Sequence, residues 1–216
     1  MPVDRATPKP SIGVRRIVVG ITGSSGVIYG IRLLEILNEI TRKKREDEEE
    51  EEKRKIETFV VVSPAASITI KAETDFSINY VEKLATRVFR FSDIAAPIAS
   101  GSFKFDSMVV IPCSMHTLGA ISSGVADNLL VRAAEVALKE KRRLLLIPRE
   151  TPLSLIHLQN MVRVAEAGAI IVPAMPAFYE RPKTLDEVIN HLVGKVLDLL
   201  DIDYDLFKRW QGISKS

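Results

Sequence analysis

The stretch Met108-Val109-Val110-Ile111-Pro112-Cys113-Ser114-Met115-His116-Thr117-Leu118 decides the fold. Its apolar half reads as a buried strand, and its second half as a hydroxyl-bearing turn that opens a long helix. The same design occurs earlier, where Ile17-Val18-Val19-Gly20-Ile21 runs into Thr22-Gly23-Ser24-Ser25-Gly26 and then a helix. Two such loops at carboxyl ends of strands imply a pocket for a phosphate-bearing cofactor. Ligands of open α/β sheets bind in that crevice, and helix amino-termini with free backbone N–H groups attract anions there.

The rest of the chain alternates in the same way. Strands are expected at residues 16–21, 58–62, 88–91, 108–111, 144–147 and 169–172. Helices are expected at 26–42, at 118–141, from a Thr151-Pro152 cap to about Gly168, and at 185–200 under a capping box of Thr184 and Glu187. Ser63-Pro64 reads as an N-cap followed by proline in the first turn. Alternating strands and helices predict right-handed βαβ units and a three-layer, Rossmann-like or flavodoxin-like parallel sheet with helices on both faces. Residues 1–15 read as a disordered tail, and 16–210 as a single domain. Residues 43–57 form a charged insertion around the acidic run Glu46 to Glu52. That run reads as a solvated helix extension or loop with intrachain pairs, or as an interaction tail.

Composition narrows the classes. The chain has 216 residues, 46% hydrophobic and 27% charged, with a net charge of +2, too small by itself to imply a nucleic-acid partner. A single cysteine, Cys113, excludes an internal disulfide framework and fits a reducing compartment. No run is long and apolar enough to span a membrane, so the expectation is a cytoplasmic enzyme. The three histidines, His116, His157 and His191, show no metal-ligand spacing, so no metal is expected. The absence of G-x-S-x-G argues against a serine hydrolase.

Several residues carry candidate chemistry. The glycines of Gly23-Ser24-Ser25-Gly26 let backbone approach a ligand, and the serines add donors. The loop has neither the dinucleotide fingerprint nor the P-loop lysine, and alone it also reads as a plain turn with a serine cap. Ser63 binds a ligand or only caps its helix. Arg132 shares a helical stripe with Asn128, Glu135 and Lys139. Left unpaired and buried, its guanidinium would cost roughly 3–5 kcal/mol, so it meets either a phosphate or, on a wet face, Glu135 or Glu82. Arg149-Glu150 ends a strand at the crevice and is either a substrate clamp and proton handler or a surface pair. Tyr179 sits in a proline-stiffened loop. Lys195 lies at the edge of an apolar stripe, as a snorkelling lysine or a ligand.

Together these motifs resemble the UbiX-type flavin prenyltransferases over nearly all of residues 16–210. The resemblance rests on Ile21-Thr22-Gly23-Ser24-Ser25-Gly26, Pro112-Cys113-Ser114-Met115-His116-Thr117-Leu118, Asp127-Asn128-Leu129-Leu130, Arg132-Ala133-Ala134-Glu135-Val136, Pro148-Arg149-Glu150-Thr151-Pro152 and Pro173-Ala174-Met175-Pro176-Ala177-Phe178-Tyr179. The flavin-dependent cysteine decarboxylases are less similar, because they lack the Pro-Arg-Glu-x-Pro run. The resemblance implies transfer of a dimethylallyl group from dimethylallyl phosphate to reduced FMN, for use by a separate UbiD-type decarboxylase. It implies that Gly23, Ser24, Ser25 and Ser63 bind FMN, that Ser114, Met115, His116 and Thr117 line the flavin, and that Arg132 contacts FMN. Lys139, Arg149, Tyr179 and Lys195 would hold the donor phosphate, some from a neighbouring subunit. Glu150 is the candidate proton handler, with Ser25 and Glu73 as further catalytic candidates. A homododecamer is implied, with no nucleic-acid or membrane partner. The competing readings are an FMN-dependent decarboxylase of aromatic acids and a non-catalytic flavin-binding module.

Overall fold

The computed structural model describes residues 13–46, 55–210 and 212. Six parallel strands form one sheet in the order β3-β2-β1-β4-β5-β6. They are β1 Arg15–Ile21, β2 Ile56–Val62, β3 Arg87–Phe89, β4 Ser107–Cys113, β5 Arg143–Pro148 and β6 Ile170–Ile171. The helices are α1 Val27–Glu46, α2 Pro64–Glu73, α3 Ile78–Lys83, α4 Met115–Ser123, α5 Leu129–Lys139, α6 Leu155–Glu166 and α7 Leu185–Leu199, with a 3₁₀ turn at Pro97–Ala99. This is the Rossmann order of the two doubly-wound alternatives.

Alternation along each strand divides the core in two. Ile17, Val19 and Ile21 of β1 face a cluster with Ile31, Leu34 and Leu37 of α1 and Val193, Val196 and Leu197 of α7. Val18 of β1, with Met108 and Val110 of β4, faces Leu118 of α4 and Leu130, Ala133 and Ala137 of α5. Helices therefore cover both faces, and the strands read as continuous apolar runs because neither side meets water.

The boundaries correct several expectations. The helix expected at 118–141 is two helices. Gly124, at φ 69, ends α4 in the left-handed conformation, and the Asn128 side chain accepts from Val131 N to start α5. The expected Thr151-Pro152 cap lies outside α6, which starts at Leu155 under a capping box of Ser154 and His157. Thr184 caps α7, but Glu187 accepts from Lys183 N, so that box is only half formed. The strand expected at 88–91 is Arg87–Phe89, because the Phe91 carbonyl accepts from Leu129 N. At the other edge β6 is shorter than expected, although Val172 N and Ala174 N still donate to Leu146 O and Pro148 O on either side of Pro173. β1 already includes Arg15, placed above in the tail. Helix α1 continues to Glu46 and β2 begins at Ile56, so regular structure enters both ends of the charged segment 43–57. The tail expected at 1–15 lies outside the described residues up to position 12, as does the acidic run from 47.

Candidate functional site

β1 and β4 are neighbours, yet α1 leaves β1 toward one face and α4 leaves β4 toward the other. The strand order reverses between them, and a crevice opens at their carboxyl ends. Thr22 locks its two walls together. Its buried Oγ1 donates to Pro112 O at 2.7 Å and accepts from Ser114 N at 2.8 Å. Thr22 N also donates to Pro112 O, at 3.3 Å.

The first wall is the glycine-serine loop. A Cβ on Gly23 would lie 2.5 Å from the Ala65 Cβ, so only glycine lets α2 pass this close. Gly26 turns into α1 at φ +95, a conformation that suits glycine. Thr69 Oγ1 donates to Gly23 O at 3.2 Å and ties the loop to α2. Gly26 N donates to Glu73 Oε2 at 2.8 Å, which puts the Glu73 carboxylate against the loop. Ser63 is buried; its N donates to Ile21 O at 3.0 Å, and its Oγ accepts from Ala66 N at 3.1 Å as the α2 N-cap. The capping role is thus real, at the position where a ligand role was expected.

The end of β5 joins this wall. Ser24 Oγ donates to Arg149 O at 2.6 Å, and Arg149 Nε donates to Ser25 O at 3.2 Å. The guanidinium is oriented through Nε, and its two terminal amino groups take no bond among the described residues. Tyr29 stands beside it: burial pushes the Tyr29 phenol pKa up, and the Arg149 charge opposes that shift. Glu150 is exposed, and its carboxylate accepts from Thr151 N at 3.1 Å.

The second wall is the first turn of α4. Ser114 Oγ accepts from Thr117 N at 3.2 Å and donates to Thr117 Oγ1 at 3.1 Å. The Met115 and His116 N–H groups remain as first-turn donors with no intrahelical acceptor. Thr117 is buried, Met115 half-buried and His116 exposed.

This donor set fits FMN. It offers close backbone approach at Gly23, hydroxyls, two helix N–H groups, and a guanidinium with free amino groups for a dianionic phosphate. Among the described residues no cluster of three or more His, Cys, Asp or Glu is placed to hold a metal. Cys113 lies beneath the crevice, and burial pushes its thiol pKa up to about 12.

Two further groups lie apart from these walls. Tyr179 Oη lies 2.6 Å from His191 Nε2 of α7, and the exposed Lys195 follows one turn later. The loop that carries Tyr179 leaves β6 beside Pro148, where Ala174 N donates to Pro148 O at 3.0 Å. Burial, followed by the nearby Lys195 charge, holds the His191 pKa below its ordinary value, against the pull of Glu180.

Arg132 and Lys139 face elsewhere. Arg132 Nε donates to Ala99 O at 3.2 Å, and its Nη1 pairs with Glu135 at 3.3 Å. Of the two carboxylates considered for Arg132, Glu82 is excluded, because α3 packs on the opposite face of the sheet from α5. Lys139 Nζ pairs with Glu140 at 2.5 Å. One protomer therefore does not bring Arg132 to the flavin loops or Lys139 to Tyr179. Sequence reasoning missed Thr22, Thr69 and Tyr29 as site-building residues. Their visible signal was only a hydroxyl one residue beyond a strand and hydroxyls at the facing turns of two helices.

Comparison with known proteins shows the family. The flavoprotein family profile matches residues 5–200. The flavin prenyltransferase UbiX of Thauera aromatica is 51% identical over 197 residues, spanning 91% of this chain and 94% of its own length. The solved structure of AnUbiX (PadA1) in complex with FMN and dimethylallyl pyrophosphate is 46% identical, with a TM-score of 0.85 over 93% of this chain and 100% of that one. A dodecameric FMN-dependent UbiX-like decarboxylase from Escherichia coli O157:H7 is 44% identical, with a TM-score of 0.84 over 91% of this chain and 100% of that one.

Proposed function

The chain belongs to the flavoprotein family, among the UbiX flavin prenyltransferases, and we propose that it transfers a dimethylallyl group from dimethylallyl phosphate to N5 and C6 of reduced FMN. The observation that carries this reading is the clipped pair of strand-end loops, with Arg149 amino groups that take no bond among the described residues beside them.

When bound, reduced FMN supplies the nucleophilic nitrogen and carbon that take the prenyl group. The chain's part is position and charge. Gly23, Ser24, Ser25 and Ser63 border the phosphate and ribityl end. Ser114, Met115, His116 and Thr117 line the flavin, with the Met115 and His116 N–H groups as donors. Arg149 is tethered to Ser25, so we assign it to the boundary between the flavin and the donor rather than to the donor alone. Tyr179 and Lys195 meet the donor phosphate, where a cation stabilises the negative charge that grows as the allylic C–O bond breaks. Glu150 or the departing phosphate takes the C6 proton. Glu73 holds the α1 entrance through Gly26.

The remaining contacts come from a neighbour. Arg132 and Lys139 reach FMN and donor phosphate across a subunit contact in a closed homo-oligomer, a dodecamer built of trimers. The exposed apolar row Leu155, Ile156, Leu158 and Val162 on α6 is a surface that association would cover. No described helix is long and apolar enough to cross a membrane. The one cysteine is unpaired and buried, which suits the cytoplasm. The prenylated flavin then passes to a UbiD-type decarboxylase.

The test is mass spectrometry of flavin extracted after incubation with reduced FMN and dimethylallyl phosphate. A gain of one isoprene unit is expected. Unmodified flavin together with carbon dioxide release from an aromatic acid would identify a decarboxylase instead. Bound FMN with neither reaction would leave a carrier of flavin.

A further inference from the structure

His191 has no part in the reading above, yet it links the two groups assigned to the donor phosphate. Its Nε2 lies 2.6 Å from the Tyr179 hydroxyl. Lys195 is four residues further along α7, so the two side chains neighbour one another on one helix face. The imidazole is itself held: the Phe207 ring lies 4.7 Å away, tilted by 60°. Tyr179 meets the imidazole edge-on at 5.4 Å and Trp210 edge-on at 5.7 Å. Tyr179 is 47% exposed, on a loop with no regular structure between β6 and α7, and among the described residues its side-chain contacts are to His191 and Trp210.

We propose that His191 is a positioning residue that holds the Tyr179 hydroxyl in place and turns its proton toward the donor phosphate. The phenol has one proton and two acceptor lone pairs. With Nε2 bare, Tyr179 donates to His191 and has no proton left for an anion. With the ring proton on Nε2, His191 donates to the Tyr179 oxygen, and the phenol proton is free to donate to phosphate. A phosphate oxygen beside Lys195 is a better acceptor than a neutral imidazole, because charge-assisted hydrogen bonds are the stronger ones. Donor binding therefore favours the Nε2–H tautomer, and the chain Nε2–H to O–H to phosphate runs in one direction. No net proton is gained or lost; the ring exchanges tautomers through solvent.

This inference rests on the assignment of Tyr179 to the donor phosphate, and two measurements separate the claims. The first is prenylation kinetics of the FMN-loaded protein and four variants: His191→Leu, His191→Gln, Tyr179→Phe, and the His191→Leu, Tyr179→Phe double variant. His191→Leu should raise the donor KM about tenfold, the worth of one charge-assisted contact, with FMN affinity unchanged. Gln places an amide near Nε2 and should restore most of the loss. The double variant should be no worse than Tyr179→Phe alone, since His191 acts through that hydroxyl. A wild-type KM in His191→Leu, multiplying losses in the double variant, or a parallel loss of FMN affinity would overturn the proposal. The second is histidine side-chain nitrogen NMR, which needs no turnover. Saturating dimethylallyl phosphate should move the His191 proton to Nε2 in the wild type and not in Tyr179→Phe. An unchanged spectrum overturns the proposal, whereas a shifted spectrum without prenylated product leaves it standing and removes the transferase reading.

Discussion

Two arginines mark two kinds of surface. At the strand-end crevice, Arg149 is steered by its Nε bond to the Ser25 carbonyl, and its amino groups take no bond among the described residues. On the outer face of α5, Arg132 is spent on Ala99 O and Glu135, and Lys139 nearby is spent on Glu140. The crevice walls are tied together within one chain, through Thr22 to Pro112 and Ser114 and through Ser24 and Ser25 to Arg149. The α5 pairs are different in kind, with Arg132 and Lys139 side chains 42% and 50% exposed. Exposed ion pairs contribute only about 0–1 kcal/mol, so such cations can exchange a carboxylate for a phosphate at little cost. A cation pre-paired with its helix neighbour suits a site that forms only when another subunit arrives.

The largest expected effect tests whether the crevice is self-made. Gly23→Val puts a side chain where Ala65 already sits, 2.5 Å from the Gly23 Cβ position. FMN binding should vanish in fluorescence titration, with a stability loss of about 1–3 kcal/mol from overpacking. Wild-type FMN affinity in this variant would mean that α2 yields and that the loop does not need its close approach. Next comes Arg149→Ala, expected to weaken FMN about tenfold to a hundredfold through one lost charge-assisted contact. Arg132→Ala should weaken FMN less than Arg149→Ala does. The reverse order in parallel titrations would invert the comparison of the two surfaces.

Thr22→Val removes the hydroxyl that serves both Pro112 O and Ser114 N. Leaving those groups short of a partner should cost about 1–3 kcal/mol in urea unfolding. Below the crevice, Cys113 gives a pH signature. Its folded pKa is raised from 9.0 to about 12. Below the lower value both states hold the proton and nothing is lost. Above it the unfolded chain ionises first, so stability falls as pH rises toward the upper value. Near pH 10 the loss should be about 1.4 kcal/mol relative to Cys113→Ala, which lacks this slope; identical slopes would show that the thiol is not buried. The smallest effect belongs to α5. Glu135→Gln should change stability by less than about 1 kcal/mol, because its partner is exposed, and a larger thermal shift would mean that the pair is structural.

The two surfaces also differ in how legible they are in sequence. The crevice announces itself because an apolar run must end where its strand leaves the core, and serine and threonine follow both strands, with glycine after β1. The shared wall was not readable: Thr22 acts through the adjacency of β1 and β4, a property of strand order. Arg149 was legible as a crevice residue, but its tie to Ser25 depends on how β5 lies beside β4. The break between α4 and α5 was hidden by Val125 and Ala126, which continue an apolar pattern across a left-handed Gly124. The Ser154 capping box was missed because its third position is His157 rather than glutamate or glutamine. The stripe of Arg132, Glu135 and Lys139 was visible, but helical period alone cannot separate a wet face from one awaiting a partner.

Subunit complementation separates a site shared between subunits from one built by a single chain. Arg149→Ala disables the crevice, and Lys139→Ala disables the α5 face. Each homo-oligomer should form little prenylated FMN. Co-assembled from a mixture of the two chains, some contacts would join an intact crevice to an intact α5 face, and prenylation should return at those contacts. A mixed oligomer as inactive as its two parents would contradict the shared site.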